Sequence, residues 1–330
     1  MANLKTIKTR IRSVGSTRKI TKAMEMIAAT KMRRAISAVL ATRTYANLSW
    51  ETLLNIAESI GACSDEKLSH PLLETPDPRN SAKKTLIILI ASNRGLCGGF
   101  NTSVMKKAHD SIQKYEKEQG REVTFIVVGE KGKEMYTHYG YDITAAFPKE
   151  DSVSSFEEIR PIAHTATEGF LKGAYDKVLV AYTDFINAGT QTPRVKQLLP
   201  VDICTEDEYL GIAGRGGKLE TRRAFIEEKR QRHCKKEGEV PFSPIAYLFE
   251  PSATEVLGNL IPRLIDIQLY QALLESNASE HSARMNAMHA ATEAAGEMVE
   301  ELTLFYNKER QATITAEISE IAAGANALSE

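Results

Sequence analysis

Long hydrophobic runs are missing from this sequence of 330 residues. The apolar stretch Leu86–Ala91 has the length of a β-strand, well short of the roughly 18 apolar residues that a membrane-spanning helix needs. The N-terminus also lacks the apolar core and the small-residue cleavage site of a secretory signal. We therefore expect no transmembrane segment, and we expect any association with a membrane to go through a partner.

Cysteine is scarce as well. The four cysteines, Cys63, Cys97, Cys204 and Cys234, show no C-x-x-C spacing, and the seven histidines form no ligand cluster with them. These absences predict a reducing compartment and no structural metal. We also expect no cofactor. Cys204 and Cys234 bracket a polar segment, and two interpretations stay open for them: a redox-sensitive pair or two independent thiols.

Acidic residues are nearly absent from the first 43 positions, where Glu25 is the one carboxylate among many lysines and arginines. The C-terminal region has the opposite charge, because it contains few lysines and arginines and many glutamates. These glutamates are Glu275, Glu280, Glu293, Glu297, Glu300, Glu301, Glu309, Glu317 and Glu320. Antiparallel pairing of the two ends would place opposite charges beside one seam. A basic helix is also typical of nucleic-acid binding, but this one has an acidic partner in its own chain, so we expect no nucleic-acid partner.

Both ends carry the apolar spacing of a coiled coil. The N-terminal stripe is Leu4, Ile7, Ile11 and Val14, resuming at Ala28, Met32, Ala35 and Val39. The C-terminal stripe is Leu264, Ile267, Gln271, Leu274, Ala278, His281, Met285, Met288, Thr292, Ala295, Val299, Leu302 and Tyr306. The spacing predicts helices from Asn3 to about Gly61 and from Glu255 to Ala323 that pair antiparallel. We expect helices of that length to project from the rest of the chain and to contact another molecule.

The N-terminal stripe has a break in phase between Val14 and Ala28. Arg18, Thr21 and Glu25 stand where a continuous seam would have apolar residues. This predicts that the helix unwinds or rotates there, and that residues 19–27 offer side chains to something outside the helix pair. The alternative is that the break only accommodates the other helix.

Strand and helix patterns alternate between the two ends. Strands are predicted at Thr85–Ala91, Val123–Gly129, Lys177–Asp184, Arg194–Val201 and Ile245–Phe249, and helices at Thr102–Glu118, Lys131–Tyr139 and Ser155–Lys172. The alternation predicts a Rossmann-like α/β domain with a largely parallel sheet. The expected division is an N-terminal coiled-coil helix (1–61), a linker (62–84), the α/β domain (85–203), a polar insertion (204–240), the last strand (241–252) and a C-terminal coiled-coil helix (253–330).

One loop, Asn93–Asn101, follows a strand and opens a helix, which is where a nucleotide phosphate would bind. It has neither Gly-Lys-Ser/Thr after its glycines nor a G-x-G-x-x-G fingerprint, so a tight turn with close backbone packing is favoured over an enzyme site. Cys97 is interpreted as a small packing residue, because no pattern marks a base for a nucleophile. His281, at a seam position, is interpreted as a packed polar residue.

Four stretches strongly resemble the gamma subunit of the F-type ATP synthase: residues Ile11–Ala35, Arg94–Asn101, Ala278–Met288 and Tyr306–Ile321. The resemblance implies a non-catalytic rotor shaft, an antiparallel coiled coil inserted into a ring of three alpha and three beta subunits. It implies that the α/β domain sits beside an epsilon subunit and the membrane c-ring. The shaft would couple proton flow to ATP synthesis or hydrolysis at the head and would regulate ATPase activity.

By similarity to that family, the residues expected to contact alpha or beta subunits are Met24, Arg284, Gln311, Thr315 and Glu317. Arg284 and Gln311 resemble the polar catch on a beta-subunit loop, and Met24 the contact opposite. The insertion lies where photosynthetic members carry a regulatory segment, but the closely spaced cysteine pair is absent, so dithiol regulation is not carried over. The expected location is peripheral, on the cytoplasmic side of the cell inner membrane.

Overall fold

The computed structural model describes residues 4–59, 71–73, 84–113, 120–149, 155–201, 250 and 253–329. Its elements are α1 (Leu4–Ser59), β1 (Lys84–Ile90), α2 (Phe100–Ser111), β2 (Glu122–Val128), α3 (Glu130–His138), β3 (Ile143–Phe147), α4 (Ile159–Leu171), β4 (Lys177–Phe185), β5 (Gln191–Leu199) and α5 (Ala253–Ser329). The insertion at 204–240 with Cys204 and Cys234, the strand predicted at Ile245–Phe249, and most of the linker lie outside the described residues.

The two long helices form as the heptad spacing predicts. Every residue of both predicted stripes is buried or half-buried, from Leu4 to Val39 in α1 and from Leu264 to Tyr306 in α5. Pro262 lies inside α5 near its start, and the helix continues through it. None of the helices in the described ranges has a stretch apolar enough to cross a lipid bilayer.

The sheet has five strands in the order β3-β2-β1-β4-β5. The pairs β1 with β2, β1 with β4, and β2 with β3 are parallel, and β4 with β5 is antiparallel. The central strand β1 is continuously apolar from Leu86 to Ile90 because helices cover both sheet faces. This confirms the α/β fold and the largely parallel sheet, since parallel strands on both sides of β1 give the doubly wound arrangement.

Alternate residues of the strands supply two separate cores. Ile87, Leu89, Phe125 and Val127 pack on one face with α2 and α3. The other face is built from the residues between them and from α4, α5 and part of α1; it contains Leu86, Ile88, Ile126, Ile162, Phe170, Ile261 and Leu264. The sheet is therefore packed as the middle layer of three.

The chain divides into two compact units, to which both long helices contribute. Residues 31–283 form one unit, which contains the whole sheet. Residues 1–30 and 284–330 form the other, which consists of the ends of α1 and α5. The domain limits given by the sequence remain predictions.

We call the unit of residues 1–30 and 284–330 the helical unit. Within it, the phase break in α1 does not unwind the helix. The backbone is α-helical from Leu4 to Ser59, so unwinding, the first of the two predicted outcomes, was wrong. Three contacts between polar or small residues fill the break. Their residue numbers rise along α1 as they fall along α5, as in an antiparallel pair. These contacts are the Thr292 hydroxyl donating to Thr21 Oγ1 at 2.8 Å, His289 Nδ1 lying 3.3 Å from Glu25 Oε1, and Gly296 lying under the Arg18 guanidinium.

Small and polar partners explain why the helix stays regular there. A Cβ added to Gly296 would lie 3.4 Å from the Arg18 Cζ, so the guanidinium of Arg18 packs directly over the small residue at this position. A hydrogen bond from Lys22 holds the pKa of Glu25 below its usual value, with smaller help from His289. The seam thus changes from apolar to polar contacts without a change in backbone.

Candidate functional site

The far end of α5 is the part of the helical unit that has the fewest partners. Counting equal steps from Thr21 back to Leu4 and from Thr292 forward places Leu4 opposite about residue 309. The helix nevertheless continues to Ser329, and every residue from 311 to 323 is exposed. A helix end that is exposed on all sides is marginal in water by itself, so it points to a binding partner.

Apolar side chains lie on this single-helix end. Ile314, Ile318 and Ile321 follow one another at spacings of four and three residues, which puts them on one face. They are exposed to 47%, 61% and 72%, respectively. These three residues were not among the predicted contact residues, although their helical spacing is visible in the sequence. An exposed apolar row on an exposed helix indicates a protein-binding surface.

Three of the five predicted contact residues also lie on this end. Gln311, Thr315 and Glu317 are exposed, and the Thr315 hydroxyl donates to the Gln311 carbonyl oxygen at 2.9 Å. Gln311 and Thr315 share a face, whereas Glu317 lies roughly opposite Thr315 because two residues turn a helix by about 200°. The end therefore presents polar groups on opposite sides.

The other two predicted contact residues lie farther along the helical unit. Met24 on α1 and Arg284 on α5 are each half-buried. Near Met24, the outer face of α1 exposes Ile20, Met26 and Ile27 to 60%, 63% and 57%. The segment from 19 to 27 thus exposes apolar side chains, and their contact with something outside the helix pair stays a prediction.

The loop Asn93–Asn101 is filled by its own polar groups. The Ser92 amide donates to Asn101 Oδ1 at 3.0 Å, and the Ser92 hydroxyl donates to the Arg94 carbonyl oxygen at 2.8 Å. Buried Cys97 lies with its sulfur 3.5 Å from the Asn101 side-chain nitrogen. These contacts support the interpretation of the loop as a tight turn and of Cys97 as a packing residue.

A buried polar cluster lies in the unit of residues 31–283, where α5 meets α1 and the sheet. The Arg43 Nη2 atom lies 3.7 Å from Glu275 Oε1, and Gln271 Nε2 donates to the same oxygen at 3.0 Å. Arg194 Nε lies 2.9 Å from Asp184 Oδ2 on the neighbouring strand. In the described ranges, no group of three or more His, Cys, Asp or Glu side chains is placed to hold a metal ion.

Burial raises the pKa of Glu275 to about 7, and the negative charge of Asp184 adds to the effect. The hydrogen bond from Gln271 and the charges of Lys196 and Arg43 act in the opposite direction but are smaller. Burial likewise lowers the pKa of Arg43. The desolvation of both groups therefore outweighs their long ion pair.

This pKa shift predicts a pH-dependent stability. The folded chain holds the Glu275 proton more tightly than the unfolded chain, whose carboxyl titrates near 4.5. The stabilising contribution is complete below pH 4.5 and is lost as the pH rises to about 7. Urea unfolding at several pH values should show the wild type losing stability relative to Glu275→Gln in this window, by at most about 1.4 kcal/mol per pH unit. Parallel profiles for the two proteins would contradict this origin of the pKa shift.

A doubly wound α/β fold combined with two long terminal helices that pair antiparallel defines a distinct class of α/β protein. A family model described as ATP synthase matches residues 3–328. The ATP synthase gamma chain of Herpetosiphon aurantiacus is 39% identical over 336 aligned positions, covering 100% of both chains. That of Pelotomaculum thermopropionicum is 38% identical, covering 99% of this chain and 100% of its own. The chain belongs to the ATP synthase gamma chain family.

Solved structures share the fold. A chain of the Euglena gracilis mitochondrial ATP synthase rotor superposes with a TM-score of 0.57 at 17% identity, covering 94% of this chain and 98% of its own. A chain of the Tetrahymena thermophila mitochondrial ATP synthase central stalk and c-ring gives a TM-score of 0.52 at 24% identity, covering 82% and 99%. Similarity this distant concerns the fold alone.

Proposed function

We propose that this chain is the central stalk, or rotor, subunit of an F-type ATP synthase. It couples proton flow through the membrane sector to ATP synthesis or hydrolysis at the alpha-beta head, and it regulates ATPase activity. The observation that carries the proposal is the end of α5, which continues past about residue 309 as a single exposed helix. A slim helix with contact groups on several sides suits a shaft that turns inside a sleeve.

The partners in this proposal are a head of three alpha and three beta subunits, an epsilon subunit and the membrane c-ring. The chain itself makes and breaks no phosphate bond and needs no cofactor; it biases the conformations of the catalytic subunits in turn. It is located peripherally on the cytoplasmic side of the cell inner membrane, held there by its partners.

Met24, Arg284, Gln311, Thr315 and Glu317 are the proposed contacts to the head. The exposure of Gln311, Thr315 and Glu317 supports this role, because their side chains reach solvent from opposite sides of one helix. The exposed row of Ile314, Ile318 and Ile321 adds an apolar bearing surface beside them. Met24 and Arg284 lie in the same helical unit, in the part where α1 and α5 are paired.

The test is ATP hydrolysis by a complex reconstituted from this chain with alpha and beta subunits of its source. Omitting the chain should remove most of the turnover. Gln311→Ala or Arg284→Ala should lower turnover by about 2- to 10-fold, the loss expected for one polar contact that stabilises the working complex. Gln113→Ala, the same substitution as the first at an exposed site on the α/β domain, serves as the control. Turnover that is independent of the chain would contradict the rotor function, and unchanged turnover in the variants would contradict the contact roles.

A further inference from the structure

One segment of α5 is enclosed on every side. All twelve residues from Gln271 to Ser282 are buried, which is three full turns of helix. Most of them are polar: Gln271, Glu275, Ser276, Asn277, Ser279, Glu280, His281 and Ser282. Apolar residues would fill such an enclosure at lower desolvation cost, so the polar set calls for a reason other than stability.

Two serines of the segment hold the β4–β5 hairpin. The Ser279 hydroxyl donates to the Thr183 carbonyl oxygen at 3.1 Å, and the Ser282 hydroxyl donates to the Ala188 carbonyl oxygen at 2.6 Å. The Gln191 side chain links Ser282 to Ala188, because its Nε2 donates to Ser282 Oγ at 3.2 Å and to the Ala188 carbonyl oxygen at 3.0 Å. The hairpin backbone is thus tied to one face of α5.

A different face of the same segment is tied to the sheet by charge. The Lys149 ammonium, just beyond β3, donates to the Glu280 carboxylate, and the two side chains are 3% and 2% exposed. The Lys149 backbone is itself held by Asn93, whose Oδ1 accepts from the Lys149 amide at 3.3 Å. Glu280 and Ser282 project about 160° apart around the helix, so the two anchors grip it from nearly opposite sides.

Contacts with α1 complete the enclosure. The Thr42 hydroxyl donates to Gln271 Oε1 at 2.9 Å, one residue before the Arg43 that faces Glu275. Leu274 and Ala278 pack with Ala35 and Val39 on the remaining side. Apolar packing is non-directional, so it resists separation more than it resists sliding.

Hydrogen bonds behave differently because they depend on direction and distance. Rotation of α5 about its axis by about 20° would move a side-chain tip some 6 Å from the axis by about 2 Å, which is enough to break them. Anchors on opposite faces resist rotation in either sense. The arrangement is what a helix needs when a twisting force acts between it and the domain around it.

We propose that residues Gln271–Ser282 form a torsional clamp, which makes α5 and the α/β domain turn as one body under load. Ser279, Ser282, Lys149 and Glu280 are its positioning residues. The proposal rests on the rotor function and adds to it the place where torque passes between helix and sheet. If the clamp slips, the head can hydrolyse ATP while the α/β domain lags behind α5.

The experiment uses the whole proton-pumping complex in vesicles and compares protons pumped per ATP hydrolysed, with and without an opposing proton gradient. Ser279→Ala/Ser282→Ala should hydrolyse ATP at the wild-type rate, whereas the pumping ratio should fall at least 2-fold against the gradient. Thr303→Ala is the matched control, since its exposed hydroxyl donates to the Val299 carbonyl oxygen of its own helix at 2.6 Å. The control should keep the wild-type ratio at every load.

A second variant tests the clamp independently, in case the first variant fails to fold. Lys149→Met/Glu280→Met removes the ion pair but keeps the packing volume, and it should show the same load-dependent fall. A wild-type ratio under load in either assembled variant would overturn the clamp alone. If the complex hydrolyses ATP and pumps protons equally well without the chain, the rotor function fails and the clamp fails with it. A probe on the α/β domain of an arrested complex should also show wider angular fluctuation in the variants, and equal widths would count against the clamp.

Discussion

Lys149→Met should destabilise the chain by about 3–5 kcal/mol, because it leaves the Glu280 carboxylate buried without its ammonium partner. The carboxylate is 2% exposed, so water cannot replace the lost charge. The Lys149 ammonium also lies 5.7 Å from the centre of the Phe100 ring, and the substitution removes this favourable contact too. Denaturant unfolding of the full chain, followed through the transition of the sheet-containing unit, measures the loss.

The double variant Lys149→Met/Glu280→Met is the control for this prediction. Replacing both members of a buried ion pair with apolar side chains of similar volume is often neutral or stabilising. We therefore expect the double variant to be more stable than Lys149→Met alone and close to the wild type. Equal losses in the two variants would mean that Lys149 contributes packing and backbone position, and that its charge is unimportant.

The sequence was sufficient to predict the parts of the fold that repeat. Heptad spacing predicted both long helices and their buried seams, because one helix packed on another buries every third or fourth residue. Continuous apolar runs predicted β1, β2 and β4, because strands covered on both faces need them. β5 begins at Gln191, three residues before its predicted start at Arg194. Most of its residues are half-buried because it is an edge strand, so no apolar run marks where it begins.

β3 was not predicted. Its five residues, Ile143–Phe147, alternate between half-buried and exposed, and it includes two small alanines. The β-formers Ile143, Thr144 and Phe147 are interrupted by the alanines, and a short edge strand needs no continuous apolar run, so the sequence did not mark it. β3 forms because its backbone pairs in parallel with β2, and this pairing is not visible in the local sequence.

The clamp was hidden for a different reason. Heptad spacing placed Gln271 and His281 on the seam, and both are buried, which confirms the interpretation of His281 as a packed residue. The same spacing gives no reason to bury Ser279, Glu280 or Ser282. Their partners Thr183, Ala188 and Lys149 lie some 90 to 130 positions away in the chain, and only the tertiary fold brings them together.

The phase break shows the limit of a pattern that considers apolar residues alone. Thr21 and Glu25 interrupt the stripe, yet each meets a polar partner on α5, at Thr292 and His289. A hydrogen-bonded pair occupies a seam position without a gap, so the backbone has no cause to unwind. A comparison of the polar seam positions of α1 with those of α5 would have predicted the continuous helix, because Thr21 and Glu25 on one helix each have a polar partner on the other.

Gly129→Ala should be among the most destabilising changes in the chain, at about 3 kcal/mol or more. Gly129 directly follows β2 and has a φ of 106°, which residues with a side chain rarely adopt. A Cβ added there would lie 2.6 Å from the Ala91 carbonyl oxygen. The carbonyl belongs to the backbone of the neighbouring strand end and has no rotamer with which to move away. The Gly129 amide also donates to the Phe147 carbonyl oxygen at 2.9 Å, so a shift would loosen β3 as well.

Gly140→Ala is the comparison for this expected loss. Gly140 also has positive φ, at 73°, but nothing lies within 4 Å of an added Cβ. Its alanine variant should lose only the conformational part, about 1–2 kcal/mol. Unfolding free energies of both variants are measured under the same conditions. We expect the larger loss at 129, because there the close approach of the β1 and β2 ends adds to a backbone conformation, φ 106° and ψ 133°, that only glycine adopts readily. Equal losses would show that the contact with the Ala91 carbonyl oxygen contributes nothing, and that positive φ alone requires glycine at both positions.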